Sequence, residues 1–219
     1  MRHSLLTFLA ATSLVASSAH ASIRVTEVMS SSGTGGTPDW IEVTNYGSSA
    51  VSLANWRMDD GSFSFAASVS LSGISSIGAG ESVIFIESAG GSGLASFRTF
   101  WGGLSGVQVG YYSGSGVGLS SGGDGVCLFN DQGSILSQVS FGAASNGVSF
   151  FWGWDAQGAI DPNYAGLLSS VGMIGSQVGF VSTDPLGNIG SLGTAIAVPG
   201  PGLAAIAGLS LARRGRRRA

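Results

Sequence analysis

The chain has 219 residues, with 37 glycines, 10% charged and 44% hydrophobic residues. A composition this apolar and weakly charged excludes an acidic disordered protein, and the lack of a strict glycine period excludes a collagen-like helix. All nine cations are arginine, and all twelve acids fall between Glu27 and Asp184, where only Arg24, Arg57 and Arg98 oppose them; this His-free, Lys-free body of net charge −9 is a poor partner for nucleic acid.

The first segment has the grammar of an export leader. Arg2 and His3 give a short polar start, Leu5 to Val15 an apolar stretch, and Ala19-His20-Ala21 the small-x-small pattern that signal peptidase accepts. This order predicts a signal peptide over residues 1–21, cleaved after Ala21. The apolar stretch is shorter than the ~20 residues a membrane span needs.

From Ser22 onward, turn residues recur at the short spacing of a sandwich or barrel. Ile23 to Val28 alternates, with Ile23, Val25 and a slipped Val28 facing inward. Trp40 to Asn45 is the second strand, and Val51 to Met58 holds a third short segment with Leu53 and Trp56. Val69 to Ile74 alternates at period two. Ser82 to Ile86 is nearly all apolar, which predicts a central strand buried on both faces. Leu94, Phe97, Phe100 and Trp101 have helical spacing, so a short helix is expected over 93–101. Val107 to Tyr112 returns to strand, and Gly125 to Phe129 is another central strand. Asn130-Asp131-Gln132-Gly133 is a hairpin turn, and Ile135 to Phe141 pairs back antiparallel.

Three of these stretches, I-R-V-T-E-V-M, D-W-I-E-V-T-N-Y-G and V-S-L-A-N-W-R-M-D-D-G, resemble the opening of the lamin-tail domain. G-E-S-V-I-F-I and G-G-D-G-V-C-L-F-N-D-Q-G-S-I-L-S-Q-V-S-F-G resemble its second half. Glu27, Asp39, Trp40, Glu42, Asn45, Gly47, Leu53 and Trp56 fall on the family's most recognisable positions. The resemblance covers residues 22–142 and implies an all-β, immunoglobulin-like β-sandwich with one short helix. Physically, Trp40 and Trp56 are core anchors. Glu27 and Glu42 alternate away from them, to face solvent or to satisfy turn amides.

Residues 143–194 form a glycine-rich extension expected to pack on the sandwich, being too small for a core of their own. Phe150, Trp152 and Trp154 share one strand face by their spacing of two. Together with Tyr164 they are either a stacking platform for sugars or a core-facing edge that seals the sandwich. Asp155 to Tyr164 is expected to be a loop. Asn188-Ile189-Gly190-Ser191-Leu192-Gly193 resembles a G-S-x-G segment that often follows such domains.

The tail, 195–219, combines Val198-Pro199-Gly200-Pro201, an apolar run over 203–212 expected to be helical, and an arginine-rich end over 213–218. Prolines break the approach, and the arginines stay cytoplasmic. The arrangement resembles the PEP-CTERM sorting signal of exported bacterial proteins, with Gly200 where the commonest form has Glu. The resemblance implies processing by an exosortase-like membrane protease, transient membrane contact, and display or release at the cell surface. Ala19, Ala21, Val198, Pro199, Gly200 and Pro201 are the processing residues.

Little in the body points to catalysis. Without His or Lys, Ser-His-Asp and Ser-Lys arrangements have no base. A lone Cys127 offers no thiolate zinc set and fits as a small buried hydrophobe. Asp59-Asp60 and Asp124 sit in turn sequences that are weak calcium candidates. No catalytic residue, metal or cofactor is therefore assigned. The sequence predicts an exported, non-enzymatic structural or adhesion domain of the bacterial envelope or matrix. The alternative is a carbohydrate-binding module using Trp152 and Trp154. The partners expected are signal peptidase, an exosortase-like protease, and an extracellular polysaccharide or surface protein.

Overall fold

A computed structural model describes residues 23–197. The leader over 1–21 with Ala19 and Ala21, and the tail from Val198 with Pro199, Gly200 and Pro201, lie outside the described residues.

Fifteen strands and one short α-helix make up the described chain: β1 (Ile23–Met29), β2 (Trp40–Asn45), β3 (Val51–Ser52), β4 (Arg57–Asp59), β5 (Val69–Ser70), β6 (Ser76–Ile77), β7 (Ser82–Glu87), α1 (Leu94–Phe100), β8 (Val109–Tyr112), β9 (Asp124–Phe129), β10 (Ile135–Phe141), β11 (Phe150–Trp154), β12 (Ile160–Leu168), β13 (Gly172–Ile174), β14 (Gln177–Val181) and β15 (Ile189–Gly190). A six-stranded sheet in the order β12-β11-β1-β2-β7-β8 faces a four-stranded sheet in the order β10-β9-β4-β5. This is the all-β, immunoglobulin-like sandwich expected from the sequence. Pairing is antiparallel except for β7 with β8, which run parallel because α1 carries the chain across between them.

The alternation along each strand sorts side chains into two cores. Val25, Val28, Ile41, Val43, Val83 and Phe85 fill the gap between the sheets with Met58, Val126, Leu128, Val139 and Phe141. Trp40, Ile84 and Ile86 point from the opposite face of the six-stranded sheet and join Met29, Phe97, Trp101 and Leu192. Each such side chain contributes about 1.5–3 kcal/mol when taken from water. Ser82 to Ile86 is doubly apolar for this reason: α1 and the chain around Leu192 cover the face a simple sandwich would leave wet. Phe97 and Trp101 contact Trp40 edge-on, with ring centroids 6.4 and 5.9 Å away. Trp40 and Trp56 are both anchors, but in different cores.

The slip expected near Val28 is a β-bulge. Val25 faces Val43 and Glu27 faces Glu42, leaving Thr26 as the extra residue. Thr26 and Glu27 consequently lie on the same outer side, and Val28 returns to the inner core.

The extension does more than pack on the sandwich. β11 pairs with β1 and β12 pairs with β11, so residues beyond 142 supply two strands of the main sheet. Ile160 to Leu168 is strand, which corrects the loop expected over 155–164; its edge position tolerates Pro162. The even stretch expected over Val69 to Ile74 forms only the two-residue β5, followed by a single bridge from Ser72 to Tyr111. β13, β14 and β15 form a small third sheet that lies on the outer face, where Phe180 meets Trp101 at 5.7 Å.

Candidate functional site

The densest unusual chemistry lies on the outer face, where the bulge sets two carboxylates opposite one another. Glu27 and Glu42 are directly paired across β1 and β2, and both have 0% exposure. Neither faces solvent, correcting one of the two roles the sequence left open. They serve the other role, satisfying turn amides, and those amides come from the far end of the described chain.

Four donors converge on Glu27. Ser191 N–H donates at 2.8 Å and Ser191 Oγ at 2.5 Å; Ser169 Oγ donates at 3.1 Å, and Ser149 Oγ also donates. Gln177 Nε2 donates to Ser191 Oγ at 2.5 Å, which fixes that hydroxyl's proton toward the carboxylate. Glu42 has a different set of partners. Gly193 N–H donates to Oε2 at 2.6 Å, and Thr26 Oγ1 lies 2.6 Å from Oε1. From Thr26 a run of hydroxyls continues to Thr44 at 2.9 Å and Ser82 at 2.6 Å. Thr44 and Ser82 line a pocket of about 390 Å³ with Tyr46 and Thr194.

These partners treat the two carboxyls differently. Burial raises Glu27, but serine hydrogen bonds oppose the rise. Burial, followed by the charge of Glu27, holds Glu42 well above the usual carboxylate range. Two carboxylates facing each other out of water cannot both ionise cheaply. Glu27, with four donors, is the better placed of the two to carry the charge. Glu42, which accepts only from Thr26 Oγ1 and Gly193 N–H, is the carboxyl held further toward its neutral form.

The lid over the pair is the Gly190-Ser191-Leu192-Gly193 segment, and its residue types follow from the fit. A Cβ at Gly190 would come within 2.8 Å of Leu192 and 3.3 Å of Glu27 Oε1. Gly193 has φ of +85°, and a Cβ there would meet Val107 at 2.6 Å. Leu192 packs into the outer core, and Tyr46 Oη donates to the carbonyl of Ile196 at 2.9 Å. The strap is therefore stitched down to within two residues of Val198.

Other acids are also occupied. Asp59 accepts from Ser62 Oγ at 2.5 Å and Ser64 N–H at 2.6 Å; Asp124 accepts from the amides of Gly61 and Gly125, both at 2.8 Å, and of Ser120 at 2.7 Å. Asp60 accepts from Ser62 N–H at 3.1 Å. These are turn-bracing roles. Among the described residues no group of three His, Cys, Asp or Glu is placed to hold a metal ion. Asp39, beside Glu87 at the head of β2, is raised to about 7 by burial and then by that neighbour. Cys127 is buried and its thiol is raised to about 11, chiefly by burial.

The aromatic face is not available to a ligand. Trp152 and Trp154 are 2% and 6% exposed and belong to the inter-sheet core with Phe150. Trp154 Nε1 donates to the carbonyl of Val25 at 3.0 Å, and the Arg24 guanidinium lies 5.1 Å from its ring. Tyr164 is half-buried against Phe151 on the other side of the strand, so the three do not form one platform. The shared face expected from their spacing is real for Phe150, Trp152 and Trp154, but it points inward. Sequence reasoning missed Ser149, Ser169, Ser191 and Gly193 as partners of the carboxylates; the glycine-serine segment over 188–193 was the only signal available for them.

A family model described as Lamin Tail Domain matches residues 16–143, more than half of the chain, and the chain belongs to that family. No curated protein matches it.

Proposed function

We propose that this lamin-tail-domain protein is an exported, non-catalytic structural domain of the bacterial envelope, working in adhesion or matrix assembly. The observation that carries the reading is the flanking of one sandwich by two address-like segments, 1–21 and 195–219. Signal peptidase would remove the first, and an exosortase-like protease would engage Val198 to Pro201 in the second. The apolar run over 203–212 and its arginines would hold the chain transiently at the inner membrane.

The fold supports a structural role through the way its acids are used. A hydrolase built on paired carboxylates needs them open to substrate and water. Here the closest opposed pair is sealed beneath its own strap, and the turn acids are committed to backbone amides. Among the described residues no helix is long and apolar enough to cross a membrane.

N-terminal sequencing and intact-mass measurement of secreted, surface and membrane fractions test the proposal. A mature chain that begins at Ser22 and lacks the arginine cluster supports it. Full-length protein in the cytoplasm overturns export. A chain that starts at Ser22 but still ends at Ala219 in the inner membrane replaces sorting with a plain tail anchor.

A further inference from the structure

The outer layer carries exposed apolar residues beyond those the family model matches. Leu167 and Leu168 at the end of β12, Val171 after it, and the cross-strand pair Met173 and Val178 are all exposed, Val171 at 61% and Met173 at 74%. They follow one another along the edge strand β12 and into the β13–β14 hairpin. Single exposed apolar residues are ordinary, but Leu167, Val171, Met173 and Val178 within one short stretch mark a surface that something covers, whereas Leu168, opposite Phe150, lies on the other side of the strand. The stretch between Asp161 and Asp184 contains no charged residue, in a body of net charge −9.

This surface sits where the tail leaves. Ser176, in the turn of the β13–β14 hairpin, donates to the carbonyl of Ala195 at 2.6 Å and accepts from Ala197 N–H at 2.5 Å. Val178 N–H donates to Thr194 Oγ1 at 2.9 Å. From Ala197 only Val198 to Gly202 separate the hairpin from the apolar run over 203–212. Five residues reach at most about 17 Å when fully extended. Once the run enters a bilayer, the hairpin is held within that distance of the lipid surface.

We infer that the outer side carrying Leu167, Val171, Met173 and Val178 rests on the lipid bilayer while the tail is anchored. The inference rests on the tail-anchoring reading above. The occupant follows from the tether and from charge: carboxylates elsewhere on the body are repelled by anionic headgroups, whereas this face carries none. Its apolar side chains gain by entering the headgroup boundary.

The test uses the full chain reconstituted in vesicles of phosphatidylethanolamine and phosphatidylglycerol. Cys127, the sole cysteine, is buried and resists labelling, so a polarity-sensitive dye can be placed on Met173→Cys or, as a control, on Ile135→Cys. Ile135 is exposed and belongs to β10 in the opposite layer. Nitroxide-labelled lipid should quench the dye at 173 and spare the dye at 135. A dye on Val171→Cys should lose its quenching when Met173→Asp and Val178→Asp are added, although the chain still floats with the vesicles on its tail. Flotation without quenching at 173, or equal quenching at both positions, overturns the inference alone. Failure to float overturns the anchoring reading and the inference with it. Shielding of the dye at 173 without lipid, together with sedimentation as a dimer, assigns the face to a second copy and overturns the inference.

Discussion

Replacing Glu42 by Gln separates a shared-proton pair from two ordinary carboxylates. With Glu42 held well above its ordinary value of 4.5, the folded state keeps a proton that the unfolded chain releases. A folded-state pKa raised in this way makes stability greatest at low pH, and it is lost as pH rises from there toward the folded value. The slope for one proton is about 1.4 kcal/mol per pH unit. Glu42→Gln abolishes that slope at little structural cost. The amide oxygen accepts Gly193 N–H, and the amide N–H faces Thr26 Oγ1, whose hydroxyl, a donor to the carboxyl in the wild type, can turn to donate to Thr44 instead. Urea unfolding followed by tryptophan fluorescence, from about pH 5 to about pH 9, measures both proteins. Asp39, raised to about 7, adds a slope of the same sign to each and cancels in the difference. The expected result is near-equal stability in mild acid and a variant increasingly more stable than wild type as pH rises. Parallel curves would refute the shared proton. So would a pH-independent loss of about 3–5 kcal/mol, the signature of breaking a buried charge pair.

The remaining predictions concern the strap and the core. Ser191→Ala removes one donor to Glu27 and the acceptor of Gln177, and should cost about 1–3 kcal/mol in urea unfolding, with faster amide exchange at Gly193. Gly193→Ala should cost at least about 1–2 kcal/mol from its left-handed backbone alone, and the contact with Val107 adds to that; a neutral substitution would mean the strap does not sit as described. Trp152→Ala should lower stability by about 3–5 kcal/mol through the cavity it leaves, and a soluble, equally stable variant would reopen the sugar-platform reading.

Much of the sandwich was legible because short-range chemistry specifies it. Ser82 to Ile86 announced a doubly buried strand, Leu94, Phe97, Phe100 and Trp101 announced α1, and Asn130 to Gly133 announced the β9–β10 hairpin. The two-residue spacing of Phe150, Trp152 and Trp154 gave the shared face but not its direction, since an aromatic stripe suits a core and a binding platform equally. The carboxylate pair was half legible. Period-two alternation placed Glu27 and Glu42 away from the inter-sheet core, and alternation cannot tell whether that second face is wet. The doubly apolar β7 was the available hint that it is dry. The donors were not legible at all, because Ser191 lies 164 residues from Glu27 and no local pattern encodes that distance.

The same geometry explains why acids, which burial normally excludes, occupy two recognisable family positions. A bulge at Thr26 forces consecutive side chains, Thr26 and Glu27, onto one face and brings Glu27 opposite Glu42. Apolar residues there would pack adequately, but they would leave the amides of Ser191 and Gly193 without acceptors once the strap closed, at about 1–3 kcal/mol for each buried orphan. The carboxyls supply those acceptors, and the hydroxyls of Ser149, before β11, and Ser169, just past β12, satisfy the rest. Packing fixes where the strap lies, whereas the acids fix its register, because Ser191 presents an amide and a hydroxyl to Glu27 while Gly193 presents its amide to Glu42. The acids therefore act on closure of the fold, and they hold residues 190–197 beside the β13–β14 hairpin.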